Sequence, residues 1–376
     1  MTISVRQQRL IFFAIIVAQF CGTSLWFAGN AVLPQLQQIY EWPARTLGFV
    51  TSATQLGFIA GTLVFAMAGL SDRFSPSKLF FVSSLIAAGC NAIVLLDLSN
   101  YPLVITSRFL VGFFLAGIYP VGMKIASDWK EDGLGHWLGA LVGALVLGTA
   151  FPHGLKLFPQ FVDPAVLLIA TSLLCTAGAV ALVLLVPDGP YRKKGASFSF
   201  SGVGKSFQIR EFRSPAFGYF GHMWELYAFW AFVPFIVNNH QAGLGESSSL
   251  FAFLIIGVGA ISCLVGGYWS LRIGSARVAA YALAGSAMCC LLSPWIWNLH
   301  PALFIVFMMI WGITVVADSP QFSALIARHA PPALRGSAIT MVTCIGFSIT
   351  IFSIQLLNYV QDILGKEFIF ILLLPG

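Results

Sequence analysis

The stretch GHMWELYAFW, Gly221 to Trp230, sets a histidine and a carboxylic acid three residues apart inside an apolar run from Pro215 to Val237. Residues three apart share one face of a helix, so His222 and Glu225 are neighbours there. A run of this length, rising about 1.5 Å per residue, spans the roughly 30 Å hydrocarbon core of a bilayer and puts Glu225 near its middle. An acidic side chain at that depth costs about 2.5 to 3.5 kcal/mol on insertion scales, which calls for a compensating role. Proton carriage is one: low-dielectric surroundings favour the neutral form of a carboxyl, and His222 could share the proton or hydrogen-bond a solute. The alternative is a buried pair that serves structure alone. Trp224, Tyr227 and Trp230 offer aromatic walls to a cavity or, equally, ordinary packing.

Other segments carry polar groups at similar depth. Gln19, Thr23, Trp26 and Asn30 recur at i, i+4, i+7 and i+11, one helical face of an otherwise apolar segment. That face lines a cavity or bonds to neighbouring helices. Thr51, Thr54 and Gln55 make a smaller stripe on the next segment. Arg108 lies about seven residues in from its segment's end, deeper than an interfacial arginine, unless its side chain snorkels back to the headgroups. Lys124, at the other end of that segment, reads as an interface residue. In ADSPQFS, Pro320 removes a backbone donor two residues after Asp318, which allows a bend and a polar opening around Asp318 and Gln321.

These residues need helices that cross a membrane, and the composition supplies them. Of 376 residues, 58% are hydrophobic and 9% charged, against about 25% charged in an ordinary soluble domain. The chain reads as an integral membrane protein. Its net charge of +6 comes in small basic groups between apolar segments, a topology pattern and not a nucleic-acid footprint. All seven cysteines fall in apolar segments and outline no disulfide framework. The first apolar run, Leu10 to Leu36, is too long for a signal peptide and reads as a retained helix. The sequence offers no metal-ligand cluster, nucleotide loop or nucleophile arrangement, since GVGKS at Gly202 to Ser206 lacks the spacing of a phosphate loop, so no cofactor is expected.

Eleven apolar segments of spanning length run from about 10–36 to about 336–360. A twelfth begins at Phe368 and stops after nine residues, which leaves Gly376 inside the membrane and suggests a truncated last helix. With a cytoplasmic amino terminus, sixteen lysines and arginines lie on the cytoplasmic side, Lys130, Lys193 and Lys194 among them; Arg45, Lys156 and Lys366 lie on the other. The polar stretch 187–214 divides the chain into an amino-terminal six-helix unit, 1–186, and a second unit, 215–376, whose last helix is incomplete. The units are alike at an offset of 200: Phe20/Phe220, Ala28/Ala228, Ala31/Ala231, Pro34/Pro234, Gly112/Gly312 and Pro120/Pro320 are identical. Two bundles related by an internal repeat are a plan of secondary transporters, with the solute site near the midplane between them.

GLSDRFSPSK, Gly69 to Lys78, and YWSLRIGSAR, Tyr268 to Arg277, occupy equivalent loops of the two halves. They resemble the signature loop of the major facilitator superfamily. Gly69, Asp72, Arg73 and Lys78 match; Ser75 and Ser77 stand where a glycine and a basic residue are usual. The second copy keeps Arg272, Gly274 and Arg277 but has Leu271 in place of the aspartate. The resemblance implies an all-α membrane protein of two pseudo-symmetric six-helix bundles, and a loop that braces the cytoplasmic gate. Asp128 is then a partner for Arg73, and Asp72 faces the start of helix eleven near Gly336. Arg108, followed by Gly112, resembles a buried arginine tied to proton coupling in several branches. Taken with the buried Glu225, the expectation is a monomeric carrier of the inner membrane that moves a small solute by alternating access with proton coupling through Glu225, or else a facilitative uniporter or a non-transporting receptor.

Overall fold

The computed structural model describes residues 5–129, 134–192, 198–240, 247–331, 334–361 and 363–376. Lys130, Lys193 and Lys194 of the topology count lie outside them. Among the described residues there is no strand, and eleven helices are long and apolar enough to cross a membrane.

The first crossing is α1 (Val5–Thr23) continued by α2 (Ala28–Tyr40), and the second is α3 (Thr46–Met67). A short α4 (Leu70–Arg73) leads into α5 (Pro76–Ala92), the third. The fourth is α6 (Tyr101–Leu115) with α7 (Tyr119–Trp129), followed by α8 (Leu134–Leu155) and α9 (Pro164–Leu185). After α10 (Phe200–Gln208) come α11 (Arg210–Asn239), α12 (Ser248–Ile273) and α13 (Ser275–Ile296). The tenth crossing is α14 (Pro301–Ala317) with α15 (Ser319–His329), and the eleventh is α16 (Arg335–Val360).

Three crossings are interrupted near mid-membrane, each for a local reason. At Thr23 the hydroxyl donates to the Gln19 carbonyl at 2.8 Å and Ser24 Oγ to Cys21 O at 2.7 Å. These side chains take up carbonyls as the ladder loosens over Ser24 to Phe27. Between α6 and α7, Gly117 and Ile118 make three-residue backbone bonds to Phe114 and Leu115, just before Pro120. Between α14 and α15 the break falls at Asp318, before Pro320, as the sequence predicts. The carbonyl that Pro320 deprives of its partner, Val316 O, lies 3.7 Å from the Cys263 thiol, which donates to it.

Close packing follows the repeat. A Cβ on Gly112 would run into the backbone of Thr54 on α3, and one on Gly312 into the backbone of Ile255 on α12. Small residues at equivalent positions let equivalent helix pairs approach to backbone contact.

Two stretches differ from the sequence reading. The polar stretch 187–214 is partly helical: α10 buries Val203 and Ser206, and α11 begins at Arg210, so Pro215 sits in its second turn. Beyond α16, Lys366–Leu373 is a 3-10 helix in place of the expected start of an α-helix. It buries Ile369, Phe370 and Leu373, with the Phe370 ring 5.7 Å from Phe229 and 5.2 Å from Trp311. Gly376 ends against Gly221, near the middle of α11.

Candidate functional site

Glu225 is buried, and its Oε1 accepts three hydrogen bonds: from Ser286 Oγ at 2.5 Å, Trp311 Nε1 at 2.7 Å and Cys290 Sγ at 3.4 Å. One carboxyl oxygen thus ties α11 to α13 and α14. Among the described residues no cation lies within ion-pair distance of it. His222 Nδ1 lies instead 2.8 Å from Asp318 Oδ1, both residues buried, an ion pair when the imidazole is protonated although not aligned as a hydrogen bond. The expected sharing of a proton between His222 and Glu225 is therefore not what the geometry brings together. Three residues at about 100° each leave the two side chains turned by about 60° and separated by about 4.5 Å along the axis. That is enough to give them different partners.

In the amino-terminal bundle Arg108 is 1% exposed and does not snorkel. Its Nη2 donates to Asn91 Oδ1 at 2.6 Å and Ser107 Oγ at 3.2 Å, while Nη1 has no hydrogen-bond partner. Asn91 is fixed in turn through its Nδ2, which donates to Leu168 O at 3.0 Å and Ser172 Oγ at 2.9 Å. The guanidinium stem lies against Gly29, where a Cβ would collide with it. Asn30 Nδ2 donates to Thr51 Oγ1 at 2.7 Å. Gln19, beside Gly122, and Gln55 keep both carboxamide atoms buried without a hydrogen-bond partner, as does the Trp26 indole nitrogen. Each such group costs about 1–3 kcal/mol if nothing satisfies it, which marks places where water or a ligand belongs.

The two bundles meet in a cluster of rings. Trp26 lies 4.9 Å from Phe58, 5.6 Å from Tyr227 and 5.7 Å from Phe347, and Tyr227 lies 5.0 Å from Phe347. Against it lies a cavity of about 30 Å³, lined by residues that include Tyr119, Tyr219, Tyr227, Trp230, Ser319 and Phe347. That volume admits a water molecule and little else. Of the residues singled out from sequence, Tyr227 and Trp230 line this cavity, while Glu225, His222, Asp318 and Arg108 lie off it inside one bundle or the other. Trp224 turns to the carboxyl-terminal segment, its Nε1 donating to Leu372 O at 3.1 Å. On the side away from α10, Gln355 Nε2 donates to Ser52 Oγ at 2.8 Å and Asn358 Nδ2 to Arg45 O at 3.0 Å, joining α16 to the amino-terminal bundle.

In the loop after α3, Gly69 takes a left-handed φ of 59°, the conformation that favours glycine. Lys124 Nζ lies 3.2 Å from Asp72 Oδ1 and 3.7 Å from Asp128 Oδ1, so Lys124 bridges the two carboxylates. The expected partnership of Arg73 with Asp128 gives way because Lys124 stands one turn from Asp128 on α7. Arg73 makes no ion pair among the described residues. Asp72 turns to Lys124 and not to the start of α16, where a Cβ on Gly336 would meet nothing within 4 Å. Arg192 completes the loop, its Nη2 donating to Phe74 O at 2.7 Å and to Asp72 O at 3.2 Å. Lys78, at the end of the first copy, is exposed; in the second copy Arg272 Nη2 donates to Tyr268 Oη at 2.7 Å and Arg277 is exposed.

Residues 15–354 match the family described as Major Facilitator Superfamily. The chain belongs to that superfamily. A solved superfamily transporter, FucP in the outward conformation, has the same fold, with a TM-score of 0.69 at 15% identity over 98% of this chain and 97% of that one. Among curated relatives, the uncharacterized transporter YgaY of Escherichia coli O157:H7 is 28% identical over 144 residues, 36% of this chain and 34% of that protein. A gentisate transporter of Corynebacterium glutamicum is 28% identical over 188 residues, 46% of this chain and 39% of that protein. The matched parts thus span between a third and two fifths of these relatives' length.

Within this superfamily chain, sequence reasoning missed the partners that define each buried charge: Ser286, Cys290 and Trp311 around Glu225, and Asn91 around Arg108. Ser286 and Cys290 stand at i and i+4 of α13, a small polar stripe that could have been noticed. Asn91 carried no signal beyond its own polarity in an apolar segment.

Proposed function

We propose that this chain is a secondary active transporter that moves a small solute across the inner (plasma) membrane by alternating access, coupled to protons through Glu225. The amino terminus and the linker face the cytoplasm in this reading, and the chain works as a monomeric carrier in the bilayer, not as an enzyme or a nucleic-acid binder. The observation that carries the coupling is the setting of Glu225, buried with three donors on one oxygen and no cation beside it. Donors suit a carboxylate, and without a cation to abandon, protonation breaks no ion pair, so the site supports both states. His222, one turn nearer the amino-terminal end of α11, and Asp318 at the break between α14 and α15 supply a second group able to hold a proton.

Alternating access finds support in the closed centre and in the breaks between α1 and α2, α6 and α7, and α14 and α15, where a crossing can bend without losing a full helical ladder. The bias of lysine and arginine toward one side supports the orientation. A facilitative carrier is the second reading, favoured by the position of Glu225 off the cavity. Proteoliposomes loaded with a pH-reporting dye decide between them. Under a panel of neutral, anionic and cationic small solutes, at least one solute should move protons with wild-type protein and none with Glu225→Gln. Solute flux without proton movement in both would leave the facilitative carrier.

A further inference from the structure

We propose that the space between the bundles binds an uncharged aromatic molecule bearing a hydrogen-bond acceptor such as an amide or ester carbonyl, an inference that rests on the transport reading above. The walls are rings. Tyr227, Trp230 and Phe347 line the cavity, and Trp26 packs against two of them. An aromatic guest meets such walls by offset or edge-on stacking.

Two donors among these rings are unused. The indole nitrogens of Trp26 and Trp230 are buried, with the residues at 1% and 0% exposure, and neither has a hydrogen-bond partner. Trp230 in the lining, beside the hydroxyls of Ser319 and Ser323, and Trp26 packed against Tyr227 and Phe347 bring two N–H donors to one meeting of helices and call for an acceptor on the guest.

Among the described residues charge is absent from the lining, which contains no aspartate, glutamate, histidine, lysine or arginine. The nearby buried charges face other groups: Glu225 its three donors, Asp318 His222, and Arg108 Asn91. A carboxylate or ammonium on the guest would be buried without a counterion, the costliest kind of burial. A neutral guest avoids that cost.

The cavity of about 30 Å³ is too small for a ring, so binding requires Trp26 to part from Tyr227 and Phe347. Trp26 belongs to the amino-terminal bundle and the other two to the second bundle. Trp26 also sits in the break between α1 and α2, where the backbone is not held by a regular ladder. Ligand entry and separation of the bundles at this level are then one event.

Titration calorimetry and tryptophan fluorescence on the purified full chain in detergent, at pH 7.5, test this with three probes: 4-hydroxybenzamide, 4-hydroxybenzoate and cyclohexanecarboxamide. The aromatic amide is expected to bind about tenfold more tightly than either the charged or the saturated analogue. Trp230→Phe keeps an aromatic ring, removes the N–H, and should weaken the amide by about tenfold. Should that variant fail to fold, the probe series on wild-type protein still decides. Equal or tighter binding of the carboxylate or of the saturated amide overturns the proposal, as does the lack of saturable binding by the aromatic amide. Binding as expected together with no solute movement in proteoliposomes overturns the transport reading instead and leaves the ligand class standing.

Discussion

Trp311 donates its indole N–H to Glu225 Oε1 across 2.7 Å, from the tenth crossing to the seventh, and its ring packs 4.9 Å from Phe229 on the same helix as the carboxyl. A charge buried in a membrane protein is thereby built into the packing of one bundle, with Ser286 and Cys290 of the ninth crossing as further donors. The hydrogen bonds fix the carboxyl, and the lack of a cation leaves its protonation free of any ion pair. Whatever changes the proton count at Glu225 changes how tightly three helices are tied.

Glu225→Gln retains an acceptor oxygen for Trp311 and Ser286 but cannot ionise, so the bundle should keep its packing while losing the proton. Uphill accumulation driven by a pH gradient should fall to background, with solute exchange still measurable in the same vesicles. Undiminished accumulation by this variant would remove the coupling claim.

Trp311→Phe tests the tie itself. It keeps most of the ring and deletes one donor to a buried carboxyl, which should lower stability by about 1–3 kcal/mol. The midpoint of thermal unfolding in detergent reads this directly. A midpoint unchanged from wild type would mean that the 2.7 Å contact holds nothing.

His222 and Asp318 invite a double-mutant cycle. Asp318→Asn alone leaves His222 without its charged partner, and His222→Gln alone strands Asp318, so each single variant should be clearly destabilised. The double variant should be less destabilised than the sum, with a coupling between about 0.5 and 3 kcal/mol. Additive effects would show that the 2.8 Å approach carries no energy.

How far the sequence speaks depends on which physical signal a feature leaves. Apolar length and basic loop residues leave strong ones, and the eleven crossings follow from them. Pro320 left a local signal, and the helix breaks one residue before Ser319 as its missing N–H requires. Side-chain partners across helices leave almost none. The three-residue spacing placed His222 and Glu225 on one face, yet only helix rotation and the approach of α13 and α14 decide that one meets Asp318 and the other Trp311. Lys124 shows the same limit: read as an interface residue, it bridges Asp72 and Asp128, because the loop after α3 folds toward α7.

Lys156, just beyond the end of α8, gives a pH dependence with a definite sign. Its Nζ donates to Ala31 O at 3.1 Å, and burial pushes the ammonium down from 10.5 to about 8. Below pH 8 both folded and unfolded chains carry the proton, and the folded state bears the full cost of burying it. Between about 8 and 10.5 the unfolded chain holds the proton and the folded chain does not, so stability rises with pH through that window. Wild type measured against Lys156→Met should therefore gain in unfolding midpoint from pH 8 to pH 10. A difference that stays flat or falls would contradict the burial of this amine.

The loop after α3 should bias a gate without touching solute. Its Asp72 is paired within the amino-terminal bundle, to Lys124 of α7, which also reaches Asp128, and none of the three lines the cavity. Asp72 and Lys124 are partly exposed, so losing their pair should cost the fold only about 0–1 kcal/mol. Asp72→Asn leaves Lys124 to Asp128 alone and frees the loop from α7. A cysteine placed at Ser323, in the cavity lining, reports the consequence, and the native background is low because six of the seven cysteines are buried. In the variant, the rate at which a membrane-impermeant thiol reagent reaches that cysteine should change severalfold and solute turnover should slow, while solute affinity stays within about twofold of wild type, well under the tenfold that 1.4 kcal/mol of lost contact would give. A large loss of affinity with unchanged labelling would instead make Asp72 part of the solute site and end its assignment to the gate.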